Sequence, residues 1–105
     1  MKMVRAIVRP EAESAVVAAL AKANFPSLTK WDVQGRGKQQ GIQVGSQLYD
    51  ELVKSMILIV VDDQHVEQVI QIIHDAAFTG YPGDGKVFVS TVETAYTVRT
   101  GKAEL

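Results

Sequence analysis

The segment TGYPGDGKVFV, which runs from Thr79 to Val89, contains the residue types that bind phosphate. Gly80 is followed by four residues and then by Gly85 and Lys86. This pattern is nearly the phosphate-binding signature G-x-x-x-x-G-K-[ST], but Val87 stands where the signature has a magnesium-binding hydroxyl. The segment therefore raises the hypothesis of a nucleotide site without the full P-loop chemistry.

The elements predicted around this segment argue against a P-loop enzyme. The apolar stripe of VEQVIQIIHDAA predicts a helix before it, and KVFVSTV predicts a strand after it. A P-loop instead follows a strand and opens a helix, whose N-terminus meets the phosphates. We therefore expect a helix-to-strand loop in which Asp84 and Lys86 stand among three glycines and Lys86 serves phosphate as a point charge. A plain connection, whose glycines supply positive φ, is the alternative.

Two further segments combine glycines with cations. Residues 35–41 read GRGKQQG and could present backbone N–H groups to phosphate, although a mobile glycine-rich loop has the same composition. They open a stretch at 35–51 with little periodicity, which predicts a long loop, and loops of such length are usually functional. Arg99 and Lys102 add cations in VRTGK, where a solvated tail is the usual interpretation.

Other chemistries find little support in the sequence. His65 and His74 lie about 180° apart on a predicted helix, so they cannot share a metal ion through helical spacing. No serine–histidine–aspartate arrangement stands out, and Asp62 and Asp63 are interpreted as N-cap residues. KVFVSTV has one aromatic residue, Phe88, where an RNA-recognition strand needs two or three. We therefore expect no catalytic residues.

The composition indicates one globular domain. The chain has 105 residues, of which 47% are hydrophobic and 22% are charged. Its formal net charge of −1 gives no general attraction for nucleic acid. The absence of cysteine excludes disulfides and thiolate metal sites and fits a reducing cytoplasm. Because the N-terminus lacks a signal run and no segment approaches about 18 apolar residues, we expect a cytoplasmic protein without membrane insertion.

Hydrophobic periodicity predicts the element order strand, helix, strand, loop, strand, helix, strand. This order is typical of an α+β fold, the ferredoxin-like βαββαβ sandwich, in which two helices cover one face of the sheet. In LTKWDVQG, Trp31 and Val33 lie on one strand face and would point to the other side of the sheet. An oligomer that packs sheet against sheet would cover them. The predicted elements are residues 3–8, 11–24, 28–35, 55–61, 66–77 and one or two strands within 86–98.

In order and spacing, the segments VRAIVRP, GRGKQQG, TGYPGDGKVFV and VRTG resemble the PII family of nitrogen-regulatory signal proteins. The resemblance extends from Lys2 to about Gly101, and TG..GDGK.FV followed by VRTG is highly specific to that family in combination. It implies a trimer of ferredoxin-like subunits that binds ATP or ADP in clefts between neighbours. The chain would be a single PII-like domain, 1–105, with a long T-loop at about 36–53, a B-loop at about 79–86 and a C-terminal segment at 97–105.

The resemblance also implies site residues, motif by motif. Thr29 and Val60 fall at positions that face the adenine, and Arg99 matches a phosphate contact from the adjacent subunit. Gln39 and Lys54 match residues that contact the effector 2-oxoglutarate, which binds beside magnesium-ATP, and Gln39 would also hold the Mg²⁺. The remaining nucleotide contacts lie at the start of the T-loop and in the B-loop: Gly35, Gly37, Lys38, Gln39, Gly83, Asp84, Gly85 and Lys86.

Some residues depart from the family pattern. Thr97 stands where the family usually has an arginine, so one phosphate cation is missing. Lys38 replaces a common arginine, which keeps the charge but loses the bidentate fork. The T-loop is shorter than in the enteric type, and Tyr49 is not in the usual modification context. These departures predict an altered nucleotide affinity.

The segments WDVQGRGKQQGIQVG and YDELVKSM, together with VETAYTVRTG, resemble the nitrogenase-associated branch of the family. Members of that branch work as paired paralogues, and this chain resembles the first of the pair. The resemblance implies a non-catalytic regulator, a homotrimer or a hetero-oligomer with its paralogue, that binds nitrogenase component proteins and inhibits nitrogenase until 2-oxoglutarate and ATP release it. The alternative within the family is a sensor that blocks an ammonium transporter. From another class, a small ferredoxin-like enzyme acting on a phosphate or acyl phosphate is the rival.

Overall fold

The structure is a computed structural model that describes residues 1–37 and 51–105 in full, and residues 42–44 and 47–49 as backbone strands. Short 3-10 turns at Pro10–Ala12 and Asp63–His65 precede the two helices. None of the helices in these ranges combines the length and the apolar character needed to cross a bilayer. In chain order the elements are β1 (Lys2–Val8), α1 (Glu13–Lys22), β2 (Thr29–Gly35), β3 (Ile42–Val44), β4 (Gln47–Tyr49), β5 (Leu52–Val61), α2 (Val66–Ala77) and β6 (Gly85–Thr91).

Four strands form one antiparallel sheet in the order β2-β5-β1-β6. The two long apolar strands, β1 and β5, therefore lie at its centre. Their registers place Val8 opposite Ser55 on one side and opposite Gly85 on the other. The antiparallel four-stranded sheet and the two helices confirm the predicted α+β class and are compatible with the ferredoxin-like sandwich.

Along the central strands, buried residues alternate with half-buried or exposed ones, and the buried residues form the face that the helices cover. Every second residue of β1 from Val4 to Val8 is buried, as is every second residue of β5 from Ser55 to Val61. Burial of one large aliphatic side chain contributes about 1.5–3 kcal/mol, so this layer supplies most of the driving force for folding. The helices contribute the residues whose spacing predicts their apolar stripes: Val16, Leu20, Val69, Ile73 and Ala77.

The two aspartates before α2 do not cap the helix. Neither Asp62, before the 3-10 turn, nor His65, before α2, makes a side-chain cap hydrogen bond. The carboxylate of Asp63 instead lies 2.9 Å from the α-amino group of Met1. The prediction of N-cap residues is wrong because α2 begins only at Val66, so that Asp62 precedes the 3-10 turn and Asp63 lies within it.

The stretch predicted as a long loop contains ordered strand pairing. β3 and β4 pair antiparallel, with Ile42 opposite Tyr49. β5 also begins before the apolar run SMILIVV, because residues 52–54 pair with the end of β2, where Lys54 lies opposite Val33. Part of the loop prediction is therefore wrong, since short polar alternation carries little signal in a glycine-rich sequence.

The face of the sheet that the helices leave open carries an apolar surface. Trp31 on β2 is 44% exposed and Phe88 on β6 is 45% exposed. Met56 lies between these edges on the same face, opposite both Trp31 and Ile7. Large exposed apolar side chains on one sheet face are typical of a protein–protein contact.

Candidate functional site

One end of the sheet brings together most of the predicted nucleotide contacts. Gly35 is the last residue of β2, and a Cβ atom there would lie 3.7 Å from Cγ of Lys54. Gly85 begins β6 at the same end, opposite Val8. Gly37 follows the end of β2, and the B-loop (residues 79–86) leads into β6. Antiparallel pairing thus places the start of the T-loop and the B-loop at the same end of the sheet, on its two outer strands, and Lys54 reaches from one to the other.

The carboxylate of Asp84 closes the B-loop. Its Oδ2 atom accepts hydrogen bonds from the N–H groups of Thr79 and Gly80, both at 2.8 Å. Its Oδ1 atom accepts a hydrogen bond from the hydroxyl of Thr79. That hydroxyl in turn accepts a hydrogen bond from the N–H of Tyr81 at 3.2 Å. Because charge-assisted bonds of this kind are the strong ones, Asp84 fixes the first half of the loop.

Two cationic side chains, one just after β1 and one on β5, bind consecutive carbonyl groups of the B-loop. The guanidinium of Arg9 donates from Nη2 to the carbonyl oxygen of Pro82 at 2.6 Å, and its Nε lies 3.4 Å from Oδ1 of Asp84. Nζ of Lys54 donates to the carbonyl oxygen of Gly83 at 2.8 Å. Gly83 has a φ of 101°, and a Cβ atom there would come within 3.0 Å of the Arg9 guanidinium. Glycine at this position therefore lets Arg9 approach the loop.

These contacts shift the pKa of two groups. Hydrogen bonds from Thr79, above all from its hydroxyl, hold the pKa of the Asp84 carboxyl well below its usual range. Burial lowers the pKa of the Lys54 ammonium, and the nearby charge of Arg9 lowers it further, while Glu11 and Asp84 oppose this effect. Asp84 therefore remains a fixed negative charge within the loop across the neutral pH range.

Stability is expected to depend on the ionisation of Asp84. Because its folded-state pKa is lowered, the stabilisation is fully present above the ordinary aspartate pKa of about 4 and is lost as the pH falls below it. Urea unfolding from about pH 6 to about pH 3 should therefore show a smaller loss of stability for Asp84→Asn than for the wild type, because asparagine does not titrate there. Asp32→Asn, a change at an exposed strand position, serves as the control and should follow the wild-type profile. Parallel profiles for Asp84→Asn and the wild type would contradict this role of Asp84.

Lys86 is placed differently from the two cations that bind the loop. It lies opposite Ile7 and is exposed, and within residues 1–37 and 51–105 its ammonium has no ion-pair or hydrogen-bond partner. Val87, the next residue, packs against the core. Lys86 is therefore the cation of this loop that is available to an anion.

Thr29 lies near the middle of the sheet, level with Arg5 of β1, and Val60 lies near the end opposite the B-loop, level with Met3. Thr29 begins β2 opposite Leu58, so it is a diagonal neighbour of Val60 on the helix-free face. Six positions of β2 separate Thr29 from Gly35, which corresponds to about 20 Å at about 3.3 Å per residue. The structure therefore does not bring the two predicted adenine contacts together with the B-loop of the same chain.

Arg99 lies in a turn of the C-terminal segment. Tyr96 and Ala103 form an isolated antiparallel bridge, and the N–H of Gly101 donates to the carbonyl oxygen of Thr97 at 2.7 Å. Arg99 is exposed in the turn between them, and no hydrogen bond or ion pair joins it to the described part of the B-loop. The described part of the structure therefore shows no polar contact between Arg99 and the B-loop of its own chain.

Lys38 and Gln39 lie outside the described residues, so their predicted contacts with phosphate, 2-oxoglutarate and Mg²⁺ stay predictions. Within the ranges that the structure describes, no group of three or more His, Cys, Asp or Glu side chains could hold a metal ion. The two histidines of the second helical region contact aromatic rings instead, His65 with Phe25 at 5.4 Å and His74 with Phe78 at 5.1 Å between ring centroids.

Sequence reasoning does not identify Arg9 and Thr79, although both bind Asp84. Arg9 directly follows β1, the strand that pairs with β6, so a cation at the end of a central strand beside the predicted anion loop is the signal that points to it. Thr79 opens the B-loop, and a hydroxyl residue ahead of an aspartate in a glycine-rich turn is a common pairing. Both signals become specific only when the strand order is known.

Comparisons with known proteins agree with the geometry. The sequence model of the family described as nitrogen regulatory protein P-II matches residues 1–102. The chain is 57% identical over 100 residues, 95% of each chain, to nitrogen fixation nifHD region GlnB-like protein 1 of Methanothermobacter marburgensis. It is 55% identical over 105 residues, the full length of both chains, to nitrogen fixation nifHD2 region GlnB-like protein 1 of Methanosarcina barkeri. The chain therefore belongs to the nitrogen regulatory protein P-II family.

Proposed function

We propose that this chain is a non-catalytic sensor that binds ATP or ADP and 2-oxoglutarate and regulates a partner protein through its T-loop. The observation that carries this proposal is the B-loop, which two cations and one carboxylate hold at the sheet end where the T-loop begins. Binding of an anion to a loop held in this way can affect the T-loop, which would contact the partner.

The B-loop has the properties of a phosphate site. Lys86 offers a charge to the phosphates, and backbone N–H groups near Gly83 and Gly85 can form an anion-binding concavity. The loop follows a helix and leads into a strand, so no helix N-terminus meets the phosphates, and Val87 stands where a P-loop has its magnesium-binding hydroxyl. This arrangement favours binding of the nucleotide over its turnover, and it disfavours the rival phosphate or acyl-phosphate enzyme.

The proposed nucleotide site is shared between two copies of the chain. Thr29 lies about 20 Å from Gly35 along β2, and Val60 lies five positions along β5 from Ser55, which is level with the start of β6. A second copy that packs on the open face, with Trp31 and Phe88 in the contact, could supply these residues and Arg99 to the first copy's B-loop. We propose a closed trimer, in which each of three such clefts binds one nucleotide.

The proposed effector site lies at the base of the T-loop. Lys54 would pair with a carboxylate of 2-oxoglutarate, and Gln39 would contact the effector and the Mg²⁺ that accompanies ATP. When bound, Mg²⁺ neutralises phosphate charge and offers further oxygen-binding positions, while Lys54 and Lys86 orient the two anions. Because Lys54 also holds the carbonyl of Gly83, effector binding would act directly on the B-loop.

The partner that the relatives favour belongs to nitrogen fixation. The relatives named above carry nitrogen fixation region names, which supports nitrogenase component proteins as the target and inhibition of nitrogenase as the outcome. The chain would act as a homotrimer or together with a PII paralogue. A sensor that blocks an ammonium transporter is the second candidate, because it would use the same T-loop and ligands.

Complementation between two defective chains tests the shared nucleotide site. Lys86→Ala should impair the B-loop half, and Arg99→Ala should impair the half that a neighbouring copy supplies. Each variant alone should bind ATP weakly, whereas trimers mixed by co-expression should regain wild-type affinity at about a quarter of their sites, the share in which both halves are intact. Every chain in the mixture carries one defect. A site contained within one chain would therefore show no recovery, and that result would refute the shared cleft.

Capture experiments test the target. The wild-type chain and a variant in which residues 42–49 are replaced by a short glycine–serine linker would be offered purified nitrogenase components and, separately, an ammonium transporter in detergent. We expect the wild type to retain the nitrogenase components, the linker variant to lose them, and 2-oxoglutarate with ATP to release them. Retention of the transporter alone would identify the second candidate.

A further inference from the structure

We propose that Arg9 is a positioning residue for nucleotide binding, which holds the B-loop so that two consecutive backbone N–H groups face the phosphates. The inference rests on the proposed function, because it concerns the same nucleotide site. Arg9 lies between β1 and α1, outside the loops that carry the predicted nucleotide contacts. Its effect depends on the orientation of two peptide groups, Pro82–Gly83 and Gly83–Asp84.

Arg9 and Lys54 set the direction of those two peptide groups. Arg9 binds the carbonyl oxygen of Pro82 at 2.6 Å, and Lys54 binds the carbonyl oxygen of Gly83 at 2.8 Å. No peptide bond in the described part of the chain is cis, so the N–H of each group points opposite to its carbonyl. The N–H groups of Gly83 and Asp84 therefore point away from the two cations.

These two N–H groups differ in their hydrogen bonding from the N–H groups at the start of the B-loop. Among residues 1–37 and 51–105, neither the N–H of Gly83 nor that of Asp84 has a hydrogen-bond acceptor, whereas the N–H groups of Thr79 and Gly80 bind the Asp84 carboxylate. Gly83 and Asp84 are only partly exposed. Two neighbouring donors that are held in direction and lack an acceptor form a site for an anionic oxygen.

The shape and position of the Arg9 side chain suit a contact with the loop rather than a contact with phosphate. Its planar guanidinium reaches Pro82 through Nη2 and Asp84 through Nε, so it braces both halves of the B-loop at once. A lysine carries all its donors on one nitrogen atom, so it lacks the planar fork that reaches two separate acceptors. The side chain of Arg9 is 25% exposed and packs beneath Gly83, while Lys86 is the exposed cation. Arg9 thus acts through the loop.

The experiment compares ATP binding to the full-length oligomers of the wild type, Arg9→Gln, Arg9→Lys and the control Lys22→Gln, which changes an exposed residue of α1. By calorimetry we expect Arg9→Gln to weaken ATP binding by about 10–100-fold, the range for loss of hydrogen bonds to a charged group. Arg9→Lys should recover part of this loss, and Lys22→Gln should match the wild type. Thermal unfolding of each variant without ligand verifies that it is folded.

Backbone amide NMR supplies a readout that general destabilisation would not reproduce. In the wild type, saturating ATP should shift the amide resonances of Gly83, Asp84 and Val60. In Arg9→Gln the shifts at Gly83 and Asp84 should be lost at saturation while that of Val60, at the adenine end, persists. If Arg9→Gln does not fold, Arg9→Lys carries the same comparison with a partial loss.

The outcomes separate this inference from the proposed function. ATP binding by the wild type together with unchanged affinity in Arg9→Gln would overturn the inference and leave the proposed function intact. Equal loss of the shifts at Gly83 and Val60 would also overturn the inference, because it would indicate a general structural effect. A wild-type protein that does not bind ATP would overturn both.

Discussion

Replacement of Gly85 by alanine is expected to destabilise the protein by about 3–5 kcal/mol, near the upper end for single substitutions. Gly85 has a φ of 114°, and a Cβ atom there would lie 1.8 Å from the carbonyl oxygen of Ile7 and 2.8 Å from its carbonyl carbon. The obstacle is backbone of the central strand β1, which cannot rotate aside like a side chain. The first residues of β6 would have to leave the sheet, and the B-loop that precedes them would lose its geometry.

Gly101→Ala is the matched control for this prediction. Gly101 also has positive φ, 69°, but a Cβ atom there would have nothing within 4 Å. It should therefore cost only about 1–2 kcal/mol, the penalty for an alanine in the left-handed region. Urea unfolding of both variants at one protomer concentration checks the difference, because the stability of an oligomer depends on concentration. Equal effects of the two substitutions would show that β1 does not constrain Gly85.

The sequence predicts the helices and central strands well because their burial follows simple periods. Val16 and Leu20 on α1, and Val69 and Ile73 on α2, recur at helical spacing and are buried in the structure. The continuous apolar run of β5 indicates a strand at the centre of the sheet, which is where it lies. Local pattern is sufficient wherever one face of an element must meet the core.

The internal contacts of the B-loop could not be predicted from local pattern. Arg9 and Asp84 are 75 positions apart in the chain, and they meet only because β6 pairs with β1. The same limit applies to Asp63, whose partner is the amino group of Met1 rather than a helix end. Contacts of this kind depend on strand order, and strand order is a property of the whole sheet.

Removal of the Lys86 ammonium is expected to reduce ATP affinity by about 10–100-fold. Among the described residues Lys86 has no anionic partner, so its side chain is available to the nucleotide phosphates and its loss should leave the fold intact. Lys86→Ala should therefore unfold at the same urea concentration as the wild type. Its ATP affinity, measured by calorimetry, should fall, and Lys86→Arg should retain much of it because the charge remains.

Lys22→Ala is the control for this prediction, because it removes the same charge from the exposed surface of α1. It should bind ATP as the wild type does, which separates a local contact from an effect of net charge. Equal ATP affinity for Lys86→Ala and the wild type would contradict the assignment of Lys86 to the phosphates. Turnover of ATP or of an acyl phosphate that Lys86→Ala abolishes would instead support the rival enzyme.

If this P-II family chain senses ATP and 2-oxoglutarate together, calorimetric titration of the wild-type oligomer must show that each ligand affects the binding of the other. ATP with Mg²⁺ would be titrated into the protein with and without saturating 2-oxoglutarate. We predict that ATP binds and that 2-oxoglutarate tightens its binding, and the reverse titration must then give the same factor because linkage is reciprocal. Absence of ATP binding, or ATP binding that 2-oxoglutarate leaves unchanged, would contradict the proposed sensor.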